Sequence, residues 1–294
     1  MSADGPLFSQ LVQGYWRLLD WNIDASACLD YIKQHIELGI TTVDQAAVYG
    51  NGACEQLFGD ALRLEPALRG QLEIVSKCGI QLAGNKSAKI THYNSSSKAI
   101  LASVDASLAR LGTDYLDALL LHRPDYLLNA DEVASAFSQL QQQGKVLNFG
   151  VSNFSCAQFA LVQASIDTPL ITNQVEINPL NLGLLDSGML EILQQQHIRP
   201  MAWSCLAGGK IASETSEQAQ RLRSTLHELA GELGAQSIEQ VVVAWVMRLP
   251  SQPVAIMGTG KIERLRVMAQ SLALCLTHEQ WYRVWCAAKG AGVP

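Results

Sequence analysis

A short apolar strand followed by a turn and an amphipathic helix recurs eight times along this chain, and no other feature restricts its fold as strongly. The predicted strands span residues 10–14, 40–44, 72–77, 115–122, 146–153, 170–176, 199–204 and 253–258. Their near-continuous apolar character is typical of parallel strands that are covered by helices. Alternating strands and helices predict a parallel sheet, and eight such units predict its closure into a (β/α)8 TIM barrel.

The helices between these strands have recognisable boundaries. Asn129 and Ser237 each stand three residues before a Glu or Gln, which is the spacing of a capping side chain and its reciprocal partner. Gly144 follows the run FSQLQQQ, as a helix C-terminal glycine does. A helical pattern over roughly 207–235 predicts extra helices between strands seven and eight, and residues 277–289 predict a final helix.

Length and composition fit one large barrel. A chain of 294 residues could hold two domains, but a closed barrel of this size is one unit, so we predict a single domain over residues 1–294. Hydrophobic residues make up 48% of the chain, which favours a large buried core. The net charge of −6 disfavours a nucleic-acid-binding protein, because such proteins carry basic surfaces.

Targeting and cysteine patterns favour a cytoplasmic protein. No apolar run approaches the ~20 residues that cross a bilayer, and the first ten residues lack the basic flank of a signal peptide. The seven cysteines are scattered without a C-x-x-C pair, which disfavours a disulfide framework or a structural zinc site. We expect a monomer without nucleic-acid or membrane partners.

Polar residues stand at the C-terminal ends of these strands, where barrels of this kind carry their active sites. Asp44, Lys77 and His122 end strands two, three and four, which are neighbours in a barrel. Later strands carry similar residues: Ser152, Asn153, Gln174, Glu176, Ser204, Gly258 and Thr259. Each alone is explained equally well as a helix cap, a solvated strand end or a core histidine. Their convergence on adjacent strand ends favours a catalytic site.

Five segments resemble the aldo-keto reductase superfamily: DQAAVYGNGACEQLFG (44–59), LEIVSKCG (72–79), YLDALLLHRPD (115–125), GKVLNFGVSNF (144–154) and NQVEINP (173–179). The order and spacing agree over about residues 10–275. The versions WSCLAGGK and MGTGKIERL are most similar to a bacterial oxidoreductase branch of that superfamily. The resemblance implies a barrel enzyme that reduces aldehydes or ketones to alcohols by hydride transfer.

The resemblance also implies a catalytic tetrad: Asp44, Tyr49, Lys77 and His122. Hydride transfer to a carbonyl leaves an alkoxide, so a proton donor must stand at the oxygen, and Tyr49 takes that role. We expect the Lys77 ammonium to stabilise the phenolate and lower the pKa of Tyr49. Asp44 then balances the buried ammonium, and His122 orients the carbonyl. The scheme requires no metal.

The same resemblance assigns the nicotinamide site. Three residues hold the carboxamide: Ser152, Asn153 and Gln174. Trp203 stands where family members commonly stack a Tyr on the nicotinamide ring. Three residues after strand seven line the pyrophosphate path: Ser204, Leu206 and Gly208. Cys205 replaces the usual Pro in this loop.

The segment MGTGKIERL bears on the choice between NADP and NAD. A turn with Gly258 and Thr259 opens the eighth helix, and helix N-termini favour phosphate. Lys261 and Arg264 follow, and such cations suit the adenosine 2′-phosphate, so we predict NADPH/NADP as the cofactor. The alternative is that both are ordinary solvated helix residues. Val267 and Met268 replace the Glu and Asn that contact adenine in the family.

The sequence says less about the substrate than about the cofactor or the catalytic residues. Candidate pocket residues are aromatic residues in loops near the expected mouth: Tyr15, Trp16, His92, Tyr93 and Tyr126. An aromatic mouth suits hydrophobic or aromatic carbonyl compounds, and simple packing of surface loops is the alternative. No arginine in these loops stands out as a carboxylate clamp.

Three other functions compete with carbonyl reduction. A nucleotide-binding regulatory or structural relative would share the fold without its activity. An aldolase-like barrel would use Lys77 as a Schiff-base nucleophile, but it leaves the nicotinamide-site residues without a role. A zinc hydrolase is disfavoured because the six histidines lack paired ligand spacing.

Overall fold

The computed structural model describes residues 1–3, 5–84 and 88–294, and its centre is a closed barrel of parallel strands. The barrel strands are β1 (Leu11–Gly14), β2 (Thr42–Asp44), β3 (Glu73–Cys78), β4 (Ala118–Leu121), β5 (Phe149–Ser152), β6 (Asn173–Glu176), β7 (Met201–Trp203) and β8 (Val254–Met257). Each strand pairs with its neighbours in sequence, and β1 closes the ring against β8. The predicted (β/α)8 barrel is confirmed.

Helices surround the barrel and connect its strands. They are α1 (Ala25–Glu37), α2 (Ala53–Leu64), α3 (Ser97–Leu111), α4 (Ala130–Gln142), α5 (Cys156–Ser165), α6 (Met189–Gln195), α7 (Lys210–Ser213), α8 (Glu217–Leu233), α9 (Ile238–Met247), α10 (Ile262–Ala269) and α11 (His278–Lys289). Three of them lie between β7 and β8, and α11 follows α10, so the predicted extra helices are confirmed. None of the described helices is both long and apolar enough to cross a bilayer.

Most of the strands are shorter than the apolar segments from which they were predicted. Their ends are set by the backbone hydrogen bonds to neighbouring strands, which stop before the apolar segments do. Leu116 lies in the predicted fourth strand but makes only an isolated bridge with Val146.

The structure also contains a hairpin that the sequence pattern did not predict. It pairs Ile80–Gln81 with His92–Tyr93 between β3 and α3. Strands of two residues carry too little alternation to be recognised from sequence.

Side-chain alternation along the strands separates two apolar layers. Inward-facing residues from the strands pack inside the ring together with Met1 and Phe8, among them Val12, Val75, Leu120, Met201 and Val254. The intervening residues, such as Ile74 and Leu119, pack outward against the helices. Because successive side chains point to opposite faces, Lys77 shares the inner face with Val75, and His122 shares it with Leu120. The alternation therefore directs both polar side chains toward the barrel axis.

Helices α2 and α3 approach closely behind β3. A β-carbon on Gly59 would overlap the backbone carbonyl oxygen of Arg110, so only glycine permits this crossing. Beside it, the fully buried Glu55 carboxylate accepts two hydrogen bonds from the Arg110 guanidinium at 2.8 and 2.6 Å. Glu55 also accepts a bond of 2.6 Å from the Ser76 hydroxyl. These contacts join α2, α3 and the outward face of β3.

The Gly59 crossing yields a stability prediction. We expect Gly59→Ala to lower the free energy of unfolding by about 1–3 kcal/mol, because the new methyl group forces the two helices apart. Gly231→Ala is the matched control, since Gly231 is also helical and has no atom near the new methyl position. At that position the better helix propensity of Ala should raise the free energy of unfolding by about 0.5–1 kcal/mol. Urea unfolding measures the stability of both variants. Equal changes in the two would contradict the steric explanation.

Candidate active site

The buried Lys77 side chain organises the C-terminal end of the barrel. Its ammonium donates to the Asp44 carboxylate at 2.7 Å, to the Gln45 backbone carbonyl at 2.8 Å and to the Tyr49 hydroxyl at 2.9 Å. Lys77 is 1% exposed and Asp44 is 3% exposed. Three donated bonds use all three ammonium hydrogens, which leaves no free lone pair for nucleophilic attack. This arrangement disfavours the Schiff-base reading of Lys77.

A tight turn after β2 brings Tyr49 back over the strand ends. Gly50, Asn51 and Gly52 all adopt left-handed backbone conformations, with φ of 54°, 55° and 87°. Such angles favour Gly and Asn, so the sequence YGNG suits the turn. The Tyr49 hydroxyl also donates to Asp44 at 3.3 Å. Its ring stands edge-on to the His122 ring, with 5.8 Å between the centroids. The structure thus brings all four predicted tetrad residues together.

Burial shifts the pKa values of these groups in directions that correct one expectation. Burial raises the pKa of Tyr49 well above its ordinary value, and the neighbouring Asp44 carboxylate adds to the rise. The net shift of the Tyr49 pKa is therefore upward, opposite in direction to the lowered value that we expected, although Lys77 donates to its hydroxyl at 2.9 Å. Burial lowers the pKa of Lys77, against the opposing effect of Asp44. Burial, Lys77 and Arg123 together lower the pKa of His122 to about 2, so its imidazole is neutral at physiological pH.

A second polar group adjoins the tetrad through Gln174. The Gln174 side-chain amide donates to the free oxygen of the Asp44 carboxylate at 2.7 Å. The Ser152 hydroxyl donates to the Gln174 backbone carbonyl at 2.9 Å and accepts a bond of 2.8 Å from the Asn153 amide. The Trp203 indole nitrogen donates to the Asn153 side-chain oxygen at 3.1 Å. The family resemblance assigned these four residues to one site but did not reveal the link between Gln174 and Asp44.

The loops after β5 and β7 have left-handed residues at the strand ends. Asn153 has a φ of 61° and Ser204 a φ of 56°. After Ser204 the chain turns tightly, because the Ala207 backbone amide donates to the Ser204 carbonyl at 2.7 Å. Leu206 and Gly208 lie on this turn, and Gly208 is exposed. The predicted pyrophosphate-path residues therefore lie on one loop beside Trp203.

The turn after β8 is held from the first β/α unit. The Thr259 carbonyl accepts from the Tyr31 hydroxyl at 2.6 Å and from the Gln13 amide at 3.2 Å. A β-carbon on Gly260 would overlap the Trp21 ring, so the indole packs directly on this backbone. Sequence reasoning missed all three supporting residues, because they belong to the first β/α unit, which is far away in sequence and lies next to β8 only once the ring has closed.

Two cations follow this turn. Lys261 is the N-cap residue of α10, and Arg264 lies in the first turn of that helix. Both are exposed, and neither forms an ion pair within residues 1–3, 5–84 and 88–294. Gly258 is exposed, with open space at the position of a β-carbon. The backbone near these cations is therefore accessible to a ligand.

The predicted pocket aromatics are not brought together. Trp16 is 64% exposed, Tyr93 is 39% exposed and Tyr126 is 93% exposed. Among the described residues no hydrogen bond or ring contact joins them to the tetrad, and His92 is exposed on the hairpin. The expectation for Tyr15 is wrong, because its side chain is fully buried and its hydroxyl bonds to His35 at 3.0 Å. Gly14 takes the inward position, so Tyr15 points outward to the helices.

Comparison with known proteins assigns the chain to a family. The sequence profile of the Aldo/keto reductase family matches residues 10–286. The chain belongs to the aldo/keto reductase family. It is therefore an oxidoreductase, and the resemblance inferred from sequence is confirmed. Oxidoreductase YdhF of Escherichia coli K12 is 52% identical over 294 residues, which cover 100% of this chain and 98% of that protein.

Two further members of the family illustrate its chemistry. A 6-dehydroglucose reductase of Agrobacterium fabrum is 37% identical over 97% of this chain and 96% of its own length. A crystal structure of an aldo/keto reductase from Klebsiella pneumoniae, in complex with NADP and acetate, matches with a TM-score of 0.75. That protein is 26% identical, and the match covers 94% of this chain and 90% of the other.

The buried pair at the centre of the site yields a second prediction. We expect Asp44→Asn to lower the free energy of unfolding by about 3–5 kcal/mol, because it leaves the Lys77 ammonium buried without a carboxylate. The double variant Asp44→Asn/Lys77→Met removes both charges and should be more stable than Asp44→Asn alone. Guanidinium unfolding of Asp44→Asn, Lys77→Met and the double variant checks this coupling. If the double variant loses the sum of the two single losses, the charges are not coupled.

Proposed function

We propose that this aldo/keto reductase is an NADP(H)-dependent enzyme that reduces small aldehydes or ketones to alcohols, with Tyr49 as the proton donor. The observation that carries the proposal is the Tyr49 hydroxyl, held 2.9 Å from the Lys77 ammonium at the end of the barrel. A donor at that point supplies the proton that carbonyl reduction requires. The NADP complex of the Klebsiella relative and the reductase name of the Agrobacterium relative support the proposal.

The unused hydrogen-bonding capacity around Trp203 fits a nicotinamide carboxamide. The Gln174 side-chain amide donates to Asp44 at 2.7 Å and to the Met201 sulfur at 3.9 Å, and its carbonyl oxygen makes no hydrogen bond to the described residues. Asn153 uses one hydrogen on Ser152, which leaves a second amide hydrogen. A carboxamide needs one acceptor and one donor partner, and these two residues supply both. The indole of Trp203, fixed by its bond to Asn153, offers a face for the ring.

When bound, the dihydronicotinamide supplies the hydride, and the chain's own residues handle the proton. In the proposed reaction the substrate carbonyl oxygen lies at the Tyr49 hydroxyl, and the neutral His122 imidazole donates a hydrogen bond that orients it. The high pKa of Tyr49 keeps the phenol protonated until an alkoxide, a much stronger base, forms beside it. Lys77 then donates its hydrogen bond to a phenolate, and Asp44 keeps the ammonium charged.

The two exposed cations on the β8 turn support a preference for NADP(H). Lys261 and Arg264 have no carboxylate partner among the described residues, so both are available to a phosphate. The N-terminus of α10 adds backbone amides at the same place.

The single domain over residues 1–294, the monomeric state and the cytoplasmic location stay predictions.

Removal of one hydroxyl tests the proton donor. We expect Tyr49→Phe to lower kcat by about 10²- to 10⁴-fold, because the alkoxide loses its acid, while the Kd for NADPH stays unchanged. Tyr115→Phe is the matched control, since Tyr115 lies before β4 at the other end of the barrel, against Arg69. NADPH oxidation with a panel of aldehydes measures turnover. Equal turnover in Tyr49→Phe and the native protein would refute the donor assignment, and NADPH binding without any turnover would favour the regulatory relative.

Substitution of Arg264 tests the phosphate site. We expect a lower KM for NADPH than for NADH, and Arg264→Ala should raise the NADPH KM by about tenfold with little effect on NADH, through loss of a charge-assisted bond. Arg266→Ala is the control, because Arg266 is also exposed on α10 but lies two residues further on, toward another face. A native preference for NADH, or an unchanged NADPH KM in Arg264→Ala, would overturn the phosphate assignment.

A further inference from the structure

Arg123 lies beside the proposed catalytic group but has no assigned role. It follows His122 directly, at the end of β4, and its guanidinium carbon is 5.8 Å from the centre of the Trp203 ring. Its charge is close enough to contribute to the low pKa of His122 and to oppose the rise in the pKa of Tyr49. The guanidinium therefore lies beside Trp203 and acts electrostatically on His122 and Tyr49.

The charge of Arg123 is not neutralised by the rest of the chain. Within the three described ranges, no ion pair or hydrogen bond joins its side chain to another residue. Arg69 and Arg110, by contrast, are paired with Asp117 and Glu55. A partly buried guanidinium with five donors and no acceptor is suited to an incoming anion.

Two carboxylates on the segments of Arg123 and Trp203 accept hydrogen bonds from other groups. Asp125, two residues on, accepts from the Ser95 backbone amide at 2.9 Å with one oxygen and from the Leu127 amide at 2.9 Å with the other. Glu176, which pairs in register with Trp203, accepts from the side-chain amides of two asparagines, Asn178 and Asn181. The loops are thus fixed by these carboxylates while the Arg123 guanidinium remains available.

We infer that Arg123 is an anion subsite, and that the substrate is a carbonyl compound that also bears a carboxylate. This inference rests on the proposed function, because it places the carboxylate next to the carbonyl held by Tyr49 and His122. The planar guanidinium matches a carboxylate with two parallel hydrogen bonds. Trp203 has two faces, so its ring can stack on the nicotinamide with one and stand beside Arg123 with the other. The expectation of a purely hydrophobic or aromatic substrate is thereby replaced by an oxo acid.

A pair of substrates that differ only in charge tests the subsite. The probes are 4-carboxybenzaldehyde and its methyl ester, assayed with NADPH on the native protein and on Arg123→Met and Arg123→Lys. We expect the native protein to have a kcat/KM about 10- to 100-fold higher for the acid than for the ester, and Arg123→Met to reduce that ratio to about one. Arg123→Lys should keep part of the preference, because it keeps the charge without the planar pair of donors. Arg221→Met, on the outer helix α8, controls for the change in net charge and should leave the preference intact.

The outcomes separate the subsite from the proposed reaction. If the native protein reduces the ester as well as the acid, or if Arg123→Met slows both alike, the anion subsite is refuted and the reductase proposal stands. Binding of benzoate, followed by tryptophan fluorescence, gives a readout without turnover. If neither aldehyde is reduced but benzoate binds to the native protein and not to Arg123→Met, the subsite stands and the proposed reaction fails. If benzoate binding is also the same in both proteins, both proposals are overturned.

Discussion

The buried ammonium of Lys77 must be compensated inside the barrel, and the rest of the site is arranged around that requirement. An isolated charge at this depth is strongly unfavourable, so the chain surrounds it with a carboxylate, a backbone carbonyl and a phenol at 2.7–2.9 Å. Two of these acceptors come from Asp44 and the residue after it, and the third from the turn that follows β2. The same bonds that compensate the charge therefore fix the phenol in space. Stability and the proposed chemistry depend on one set of contacts.

The Asp44 carboxylate joins two halves of the proposed site. One of its oxygens faces Lys77 and Tyr49, and the other accepts from Gln174 on the far side of the ring. Gln174 is in turn bonded to Ser152, and Ser152 to Asn153, so the chain of bonds reaches Trp203. A continuous network of this kind, buried at Asp44, Gln174 and Ser152, holds its members in one geometry. The groups proposed for the proton and for the nicotinamide are thus fixed relative to each other.

Much of the fold and of the proposed site could be predicted from sequence, because short segments of sequence determine where strands lie and where they end. The eight apolar segments indicated the barrel, and the positions of Asp44, Lys77 and His122 at the ends of adjacent strands indicated a common site. Tyr15 was misjudged, because one step along the strand reverses the direction of a side chain. The pKa direction of Tyr49 could not be predicted, since it depends on how much the folded chain buries the ring. Arg123 could not be recognised as a candidate site residue from the sequence. Its proposed role depends on its having no acidic partner among the described residues, which only the folded structure shows.

The turn at Thr259 and Gly260 is held by contacts from the first β/α unit, and these contacts bear on how the protein folds. They come from Gln13, Tyr31 and Trp21. These contacts cross the seam between the first and last units of the ring, and one of them joins residues 246 apart in sequence. Closing a loop of that length is entropically unfavourable, so we expect these contacts to form late in folding. The turn that is proposed to hold the phosphate end of the dinucleotide would then take its final geometry only when the ring closes. A chain with β1 and β8 still unpaired would have a formed β3 but would lack this turn.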